Sequence, residues 1–401
     1  ALEDLQTWRF SLKRIFSRSS HLHRVMKNLF ILLGGRATGG ILFLIATILS
    51  ARLLEPRHLG LIVMLHAYIM MIRGLITVKP FEAIVKHGTT AADKSEYDRL
   101  GRLFFTSLKL DLTTALIGTC IAILGLTFMV QSGYLEADYK NIGYIYCFLI
   151  PFANDGTAVG ALRIWDRFNT ISYCLVAGAI CRLIGIIVLY IFDLIDFFSI
   201  ALIWFLSSLV QYLALQITGW RTILAALPKS FVEYKTSFRS CGKENKGIWK
   251  FLHIVYWQSS LDLIPKRAGI LLTGFLLSPE IAAMFRIAND LAGVIAKPAL
   301  LVRQVIFPDL TRLKEETNEF LGLALRVSVL VTVPATLLAV LSIWFGQSLI
   351  SITMGATYQA ASSLLTLLVV SATLELAASP LRPFLYVSDC AAWSLTIQAF
   401  G

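Results

Sequence analysis

Residues 251–307 read FLHIVYWQSSLDLIPKRAGILLTGFLLSPEIAAMFRIANDLAGVIAKPALLVRQVIF. Two long apolar stretches are joined by the short turn Leu277-Ser278-Pro279-Glu280. About 20 apolar residues suffice for a helix to cross the hydrocarbon core of a bilayer. This pair nevertheless carries Asp262, Lys266, Arg267, Arg286, Asp290, Lys297 and Arg303. One arginine at the centre of a lipid-facing helix costs about 2.5–3.5 kcal/mol even on the gentlest scale. So many charges are untenable against lipid, and the hairpin is expected to line something wet.

The rest of the chain supports a membrane reading. Of 401 residues, 57% are hydrophobic and only 15% charged, where a soluble domain carries about a quarter charged residues. Mean hydropathy is +0.72. The length of the apolar runs excludes a soluble helical protein, and a membrane β-barrel would show short alternating segments instead. The expected class is an all-α polytopic membrane protein. The net charge of +11 is spread over alternate loops, which speaks against nucleic acid as a partner. Six cysteines (Cys120, Cys147, Cys174, Cys181, Cys241 and Cys390) are scattered with no metal-site spacing and read as small hydrophobes. No metal or cofactor is expected. Residues 1–27 form no signal-peptide core. They are basic and amphipathic, with Leu5, Trp8, Phe10, Leu12 and Phe16 among Arg9, Lys13, Arg14 and Arg18, which fits either an interfacial helix or a disordered basic tail.

Ten spans are expected: 28–53, 59–78, 103–130, 142–162, 171–192, 197–217, 251–277, 281–307, 321–345 and 360–387, with an eleventh opening near Ala391. Lysines and arginines crowd the N-terminal segment and the loops after spans two, four, six and eight. The alternate loops hold almost none, except Arg52 and Arg57 at the first outer turn. The positive-inside rule then places the N-terminus in the cytoplasm. The outer loops, at most about 15 residues, leave no room for a folded catalytic domain, which counts against a membrane glycosyltransferase or polymerase.

A weak repeat is also present. ARLLEPRHLGLIV around the first outer turn aligns with GFLLSPEIAAMFR after span seven, with Pro56 and Pro279 in register. Both copies start on the same side, so the repeats are parallel. Six spans per half predict a 28–227 N-terminal lobe, a 228–250 cytoplasmic linker, and a 251–401 lobe truncated within its eleventh span.

The turn Ala51-Arg52-Leu53-Leu54-x-Pro56-x-x-x-Gly60 closes a Gly-rich first span, and Ser259-Ser260-x-Asp262 leads into Leu276-Leu277-Ser278-Pro279 and Arg286-Ile287-Ala288-Asn289-Asp290. With these features the chain resembles the polysaccharide-transporter branch, including O-antigen flippases, of the multidrug/oligosaccharidyl-lipid/polysaccharide exporter superfamily. The resemblance covers nearly the whole chain. It implies two six-helix bundles, related by a pseudo-twofold, around a central cavity that alternates its opening. The implied cargo is a polyprenyl-diphosphate-linked oligosaccharide crossing a bacterial inner membrane during O-antigen, capsule or exopolysaccharide synthesis. Membrane lipids and the polysaccharide polymerase and chain-length machinery are the implied partners.

Such a cargo needs fixed cations within the membrane, preferably arginine, whose fork binds phosphate at two points. The candidates for binding the pyrophosphate are Arg36, Lys266, Arg267, Arg286 and Lys297, with Pro265 expected to kink span seven. Asp111, Asp155, Asp262 and Asp290 are candidates for ion coupling or charge balance. Arg286 with Asp290 reads equally well as an internal helix pair. Arg73 and Arg303 are expected to snorkel toward cytoplasmic headgroups, and the alternative to ion coupling for Asp111 and Asp155 is capping or pairing with Arg182. Gly35-x-x-x-Gly39 is expected to mark close helix contact. Tyr68, Trp204, Tyr256 and Trp257 fit core or interface belt better than sugar stacking. No catalytic motif is present, so the chain is not expected to be an enzyme. Two alternatives stand beside the flippase: a cation-coupled drug exporter of the same superfamily, which calls for a carboxylate-rich lining, and a non-transporting scaffold of a polysaccharide assembly complex.

Overall fold

The computed structural model describes residues 34–293 and 317–378, except for the side chains of residues 262, 265, 266, 317–328, 330, 331, 334, 335 and 375–378. Among the described residues the chain is helical and contains no strand. Ten helices follow the ten expected spans. They are α1 (Gly34–Leu53), α2 (Pro56–Ile76), α3 (Tyr97–Gln131), α4 (Ala137–Ile164, interrupted), α5 (Phe168–Ile191), α6 (Phe197–Ala226), α7 (Ile248–Leu276), α8 (279–293), α9 (Thr317–Met354) and α10 (Ala361–Ala378). Seven of these are long and apolar enough to cross a membrane. The basic 1–27 segment, Lys297, Arg303 and the eleventh span lie outside the described residues.

Local sequence explains where the helices begin and break. Pro56 opens α2 from the first helical position, where its missing N–H costs nothing. The Asp196 carboxylate caps α6 by accepting from the Ser199 N–H at 2.8 Å. The α4 region is three pieces, Lys140–Cys147, Leu149–Ala153 and Gly156–Ile164. Pro151 accounts for the first interruption, because its ring clashes with the carbonyl four residues back, at Cys147. The second leaves Asn154 and Asp155 outside any helix.

By internal contacts the described chain divides into two compact units. Unit 1 takes the residues up to Ala46 together with Leu65–Ala268, and unit 2 takes Thr47–Met64 with the residues from Gly269 onward.

In unit 1, α5 packs along α6 and the last piece of α4 packs on α6. Exposed Leu112, Leu116, Leu124 and Phe128 run down one face of α3, as a lipid-facing stripe must. The Gly35-x-x-x-Gly39 motif sits against α5, where a Cβ at Gly35 would lie 2.3 Å from the Ser172 Cβ. The segment expected as a linker, 228–250, is folded. Tyr234, Cys241 and Ile248 enter one buried cluster with Leu100, Leu103, Phe104 and Ile223. Polar composition concealed these three anchors.

In unit 2 the two repeated turns meet. A Cβ at Gly60 would lie 1.8 Å from the Pro279 carbonyl oxygen, and one at Gly274 would strike the Met64 sulfur. Arg52, which breaks the expected charge rule, has a structural role. Arg52 Nε donates to the Thr353 carbonyl at 2.6 Å, and its Nη2 donates to the Ile352 carbonyl. Both carbonyls end α9, where a cation is favoured by the helix dipole.

Candidate functional site

The interruption in α4 brings together polar groups that hydropathy alone could not associate. Three of them come from the end of α2 and the bend beyond it: Arg73, Thr77 and Lys79. The Thr77 hydroxyl donates to Asn154 Oδ1 at 2.8 Å. The Asn154 amide donates in turn to the Asp111 carbonyl at 3.1 Å and to the Thr114 hydroxyl at 3.0 Å. Gln216 Nε2 of α6 donates to the Asn154 carbonyl at 3.0 Å. The unwound turn is thus held from α2, α3 and α6, as backbone without a helix at membrane depth requires.

Charged groups surround this turn. Arg73 Nη2 pairs with Asp155 Oδ1 at 3.1 Å, and its guanidinium lies 5.6 Å from the centre of the Tyr212 ring. Arg73, expected to snorkel, has a carboxylate partner presented by the broken helix. Asp155 consequently pairs with Arg73 rather than Arg182. Arg182, buried between α5 and α6, donates to the hydroxyls of Ser207 and Ser208 and lies over the Trp204 and Phe43 rings. The Asp111 carboxylate is buried, and its Oδ2 accepts from both the N–H and the hydroxyl of Thr157, each at 2.7 Å. It acts as an N-cap supplied by another helix. Its Oδ1 has no hydrogen-bond partner among the described residues.

Two further cations complete the cluster, Lys79 and Arg163, neither marked by hydropathy. Lys79 has a left-handed backbone, φ 58°, and makes no ion pair with any described residue. Burial, and next the neighbouring Arg73, pull its ammonium below the ordinary lysine range. Arg163 lies over the Phe81 ring at 4.5 Å and within electrostatic reach of Glu82, Arg36 and Asp155. Arg163 falls one residue past the expected end of span four, where it counts as an ordinary loop charge. Lys79 precedes Pro80 at the end of span two, and that Lys-Pro pair was the available signal. The Nε atoms of Arg73 and Arg163 are both buried without an acceptor among the described residues. An unmet buried donor costs about 1–3 kcal/mol, so each favours the arrival of an acceptor.

The candidates from sequence fall into three groups. Arg36 is exposed on α1 within reach of Arg163, and Arg267 within reach of Tyr212, so both stand near the cluster. Asp111 and Asp155 are inside it. In unit 2, Arg286 Nε pairs with Asp290 Oδ2 at 2.8 Å, one helical turn on, which is the internal helix pair. The side chains of Asp262 and Lys266, and all of Lys297, lie outside the described residues. Among the aromatics, Trp204 and Tyr68 are core, with the Tyr68 hydroxyl donating to the Ala122 carbonyl at 2.9 Å. Trp257 is exposed. No cluster of metal-binding side chains occurs among the described residues.

No protein-family model matches the chain. Its helices have the fold of MATE transporters of the MOP superfamily, a polytopic membrane fold. A structure described as an inward-facing multidrug resistance MATE family transporter superposes with a TM-score of 0.64, at 15% identity, over 90% of this chain and 84% of that one. A Vibrio cholerae MATE transporter, VcmN, gives 0.55 at 16% identity, over 96% and 87%. In sequence the chain is similar to the inner membrane protein YghQ of Escherichia coli K12. The two are 24% identical over 358 residues, which is 89% of this chain and 99% of YghQ.

Proposed function

We propose that the chain is a flippase, moving a polyprenyl-diphosphate-linked oligosaccharide across the bacterial inner membrane by alternating access, with its N-terminus in the cytoplasm. The observation that carries this reading is the pair of buried Nε donors on Arg73 and Arg163 that have no acceptor among the described residues, with Lys79 beside them. With Arg36 and Arg267 in reach, five cations face the three carboxylates Asp111, Asp155 and Glu82. A diphosphate supplies acceptors and negative charge to such a site, and guanidinium forks bind it in two places. The fold of known exporters and a relative named for the inner membrane support transport in that membrane.

The second reading, a drug exporter, follows from the multidrug transporters that share the fold. Organic cations call for a surplus of carboxylates, and this cluster has a surplus of cations.

The test is binding of a short polyprenyl-diphosphate sugar to the purified protein. The variants are Arg163→Gln, which breaks no ion pair, along with Arg36→Gln and Arg267→Gln. We expect salt-sensitive binding, weakened about tenfold or more by Arg163→Gln, since charge-assisted hydrogen bonds contribute about 1.5–3 kcal/mol. Tight binding untouched by all three substitutions would remove the cluster from the cargo path. Binding of organic cations with no binding of the lipid-linked sugar would favour the drug exporter.

A further inference from the structure

In unit 1 the segment 228–250, between α6 and α7, is tied to the start of α3. Lys229 Nζ pairs with Asp98 Oδ1 at 2.9 Å, and Arg102 Nε with Glu244 Oε1 at 2.8 Å. Arg99 Nε donates to Asn245 Oδ1 at 3.1 Å. Further along α3, Lys109 donates to the Thr236 carbonyl and lies over the Phe105 and Phe238 rings. The lipid-facing stripe of α3 begins only at Leu112 and runs to Phe128, a rise of about 25 Å. The turns that hold the segment therefore lie before the stripe, at headgroup level.

The charges of this segment fall into two sets. Both of its acids are used within the fold. Glu233 accepts from the Ser230 N–H at 3.1 Å in a capping box, and Glu244 holds Arg102. By contrast Lys235, Arg239, Lys243, Lys246 and Lys250 are exposed, and their side chains meet no acceptor among the described residues. In the short helix Phe238–Glu244, Arg239 and Lys243 each stand two residues from buried Cys241. Two residues is about 160° around the axis, so both face away from the core. Lys250 stands likewise two residues from buried Ile248 and from buried Leu252 of α7. The Phe238 and Trp249 rings meet with centroids 5.7 Å apart, and a Cβ at Gly242 would lie 2.5 Å from Trp249 Nε1. The short helix thus packs on the first turn of α7, and their cations share a surface with the exposed Phe238 and Trp249.

We propose that this surface binds anionic phospholipid headgroups of the leaflet it borders, with Lys235, Arg239, Lys243, Lys246 and Lys250 taking the phosphates. Water suits the cations but not the exposed rings, and hydrocarbon suits the rings but not the cations. The headgroup layer accommodates both. An acidic protein would match the charge alone; the rings and the level of the segment favour lipid. Near an anionic membrane each Lys or Arg raises affinity about fivefold. That attraction fades within a Debye length, about 10 Å at 0.1 M salt, so it rewards only cations held at the membrane surface. The ties to α3 provide that placement. The inference is independent of the cargo.

The test uses the full chain in proteoliposomes of phosphatidylglycerol and phosphatidylcholine in equal parts. A trace of one lipid or the other carries a photoreactive headgroup, and cross-links are mapped by mass spectrometry. We expect the phosphatidylglycerol probe to label peptides from 228–250 about tenfold above the phosphatidylcholine probe. The preference should shrink several-fold at about 1 M salt, where the Debye length is about 3 Å. Combining Lys235→Gln, Arg239→Gln, Lys243→Gln, Lys246→Gln and Lys250→Gln should abolish it with thermal unfolding unchanged. If that variant does not fold, Arg239→Gln with Lys243→Gln should still weaken the preference, and the wild-type map and its salt dependence need no variant. Equal labelling by the two probes, or a preference that the substitutions leave intact, overturns the proposal. So does equal labelling together with an acidic protein that co-purifies with the wild type and is released by the five substitutions, which would give the surface to that partner.

Discussion

Arginines lie inside both units, but their surroundings differ. Around the α4 interruption in unit 1, Arg73 and Arg163 keep donors that no described residue meets. At the repeated turns of unit 2, Arg52 closes the end of α9, Arg57 lies within reach of Glu280, and Arg286 is paired with Asp290. The same side chain is a fastener where the fold supplies its acceptors and a receptor where it does not. Arg182 shows that unit 1 contains fasteners too, with two hydroxyls and two rings around its guanidinium.

The comparison is broken most severely by Arg73→Ala. It strands Asp155 in the protein interior, and removing one partner of a buried pair costs about 3–5 kcal/mol. Arg73 is about one-fifth exposed, so a loss near the lower end of that range is expected in thermal or denaturant unfolding. The double change Arg73→Ala with Asp155→Ala should recover much of it. Next in size is Gly60→Ala in unit 2, where the new methyl meets the Pro279 carbonyl. Overpacking of this kind costs about 1–3 kcal/mol. Gly34→Ala, with no described residue within 4 Å of its Cβ, should leave the melting temperature unchanged or raise it.

A sharper contrast comes from pH. Because Lys79 is shifted downward, its charge is present below its lowered pKa and lost as pH rises through it. Diphosphate affinity should therefore decline at a pH below the ordinary lysine range, and Lys79→Arg should flatten that profile; an unchanged profile would take Lys79 out of the site. The smallest effect is expected from Arg286→Ala. Ligand binding should be unaffected, because Asp290 on the same helix already meets this guanidinium.

The helices were legible because each long apolar run must be a helix in a bilayer: seven of the described helices are long and apolar enough to cross one, and each overlaps an expected span. The two turns that the sequence aligns, at Pro56 and Pro279, lie against each other. The site was less legible. Pairing Arg73 with Asp155 needs contact across 82 residues, which no local period encodes. Pro151 signalled an interruption, but its consequence, an unwound Asn154-Asp155, depends on partners from α2, α3 and α6. Charge counts pointed to the hairpin of α7 and α8, where the side chains of Asp262 and Lys266 and all of Lys297 lie outside the described residues; they gave no hint of the buried guanidinium donors of Arg73 and Arg163. A polar segment such as 228–250 reads as a connector until three apolar anchors are seen to seat in a core.

Gly60 against Pro279 has a mechanical consequence. Contact there runs from one main chain to another, with no rotamer between them to bend or swing aside. Side-chain contacts yield gradually, like springs, whereas two backbones in touch behave as a hard stop. Any motion that brings these turns together ends abruptly at Gly60, and any motion that parts them releases the contact all at once.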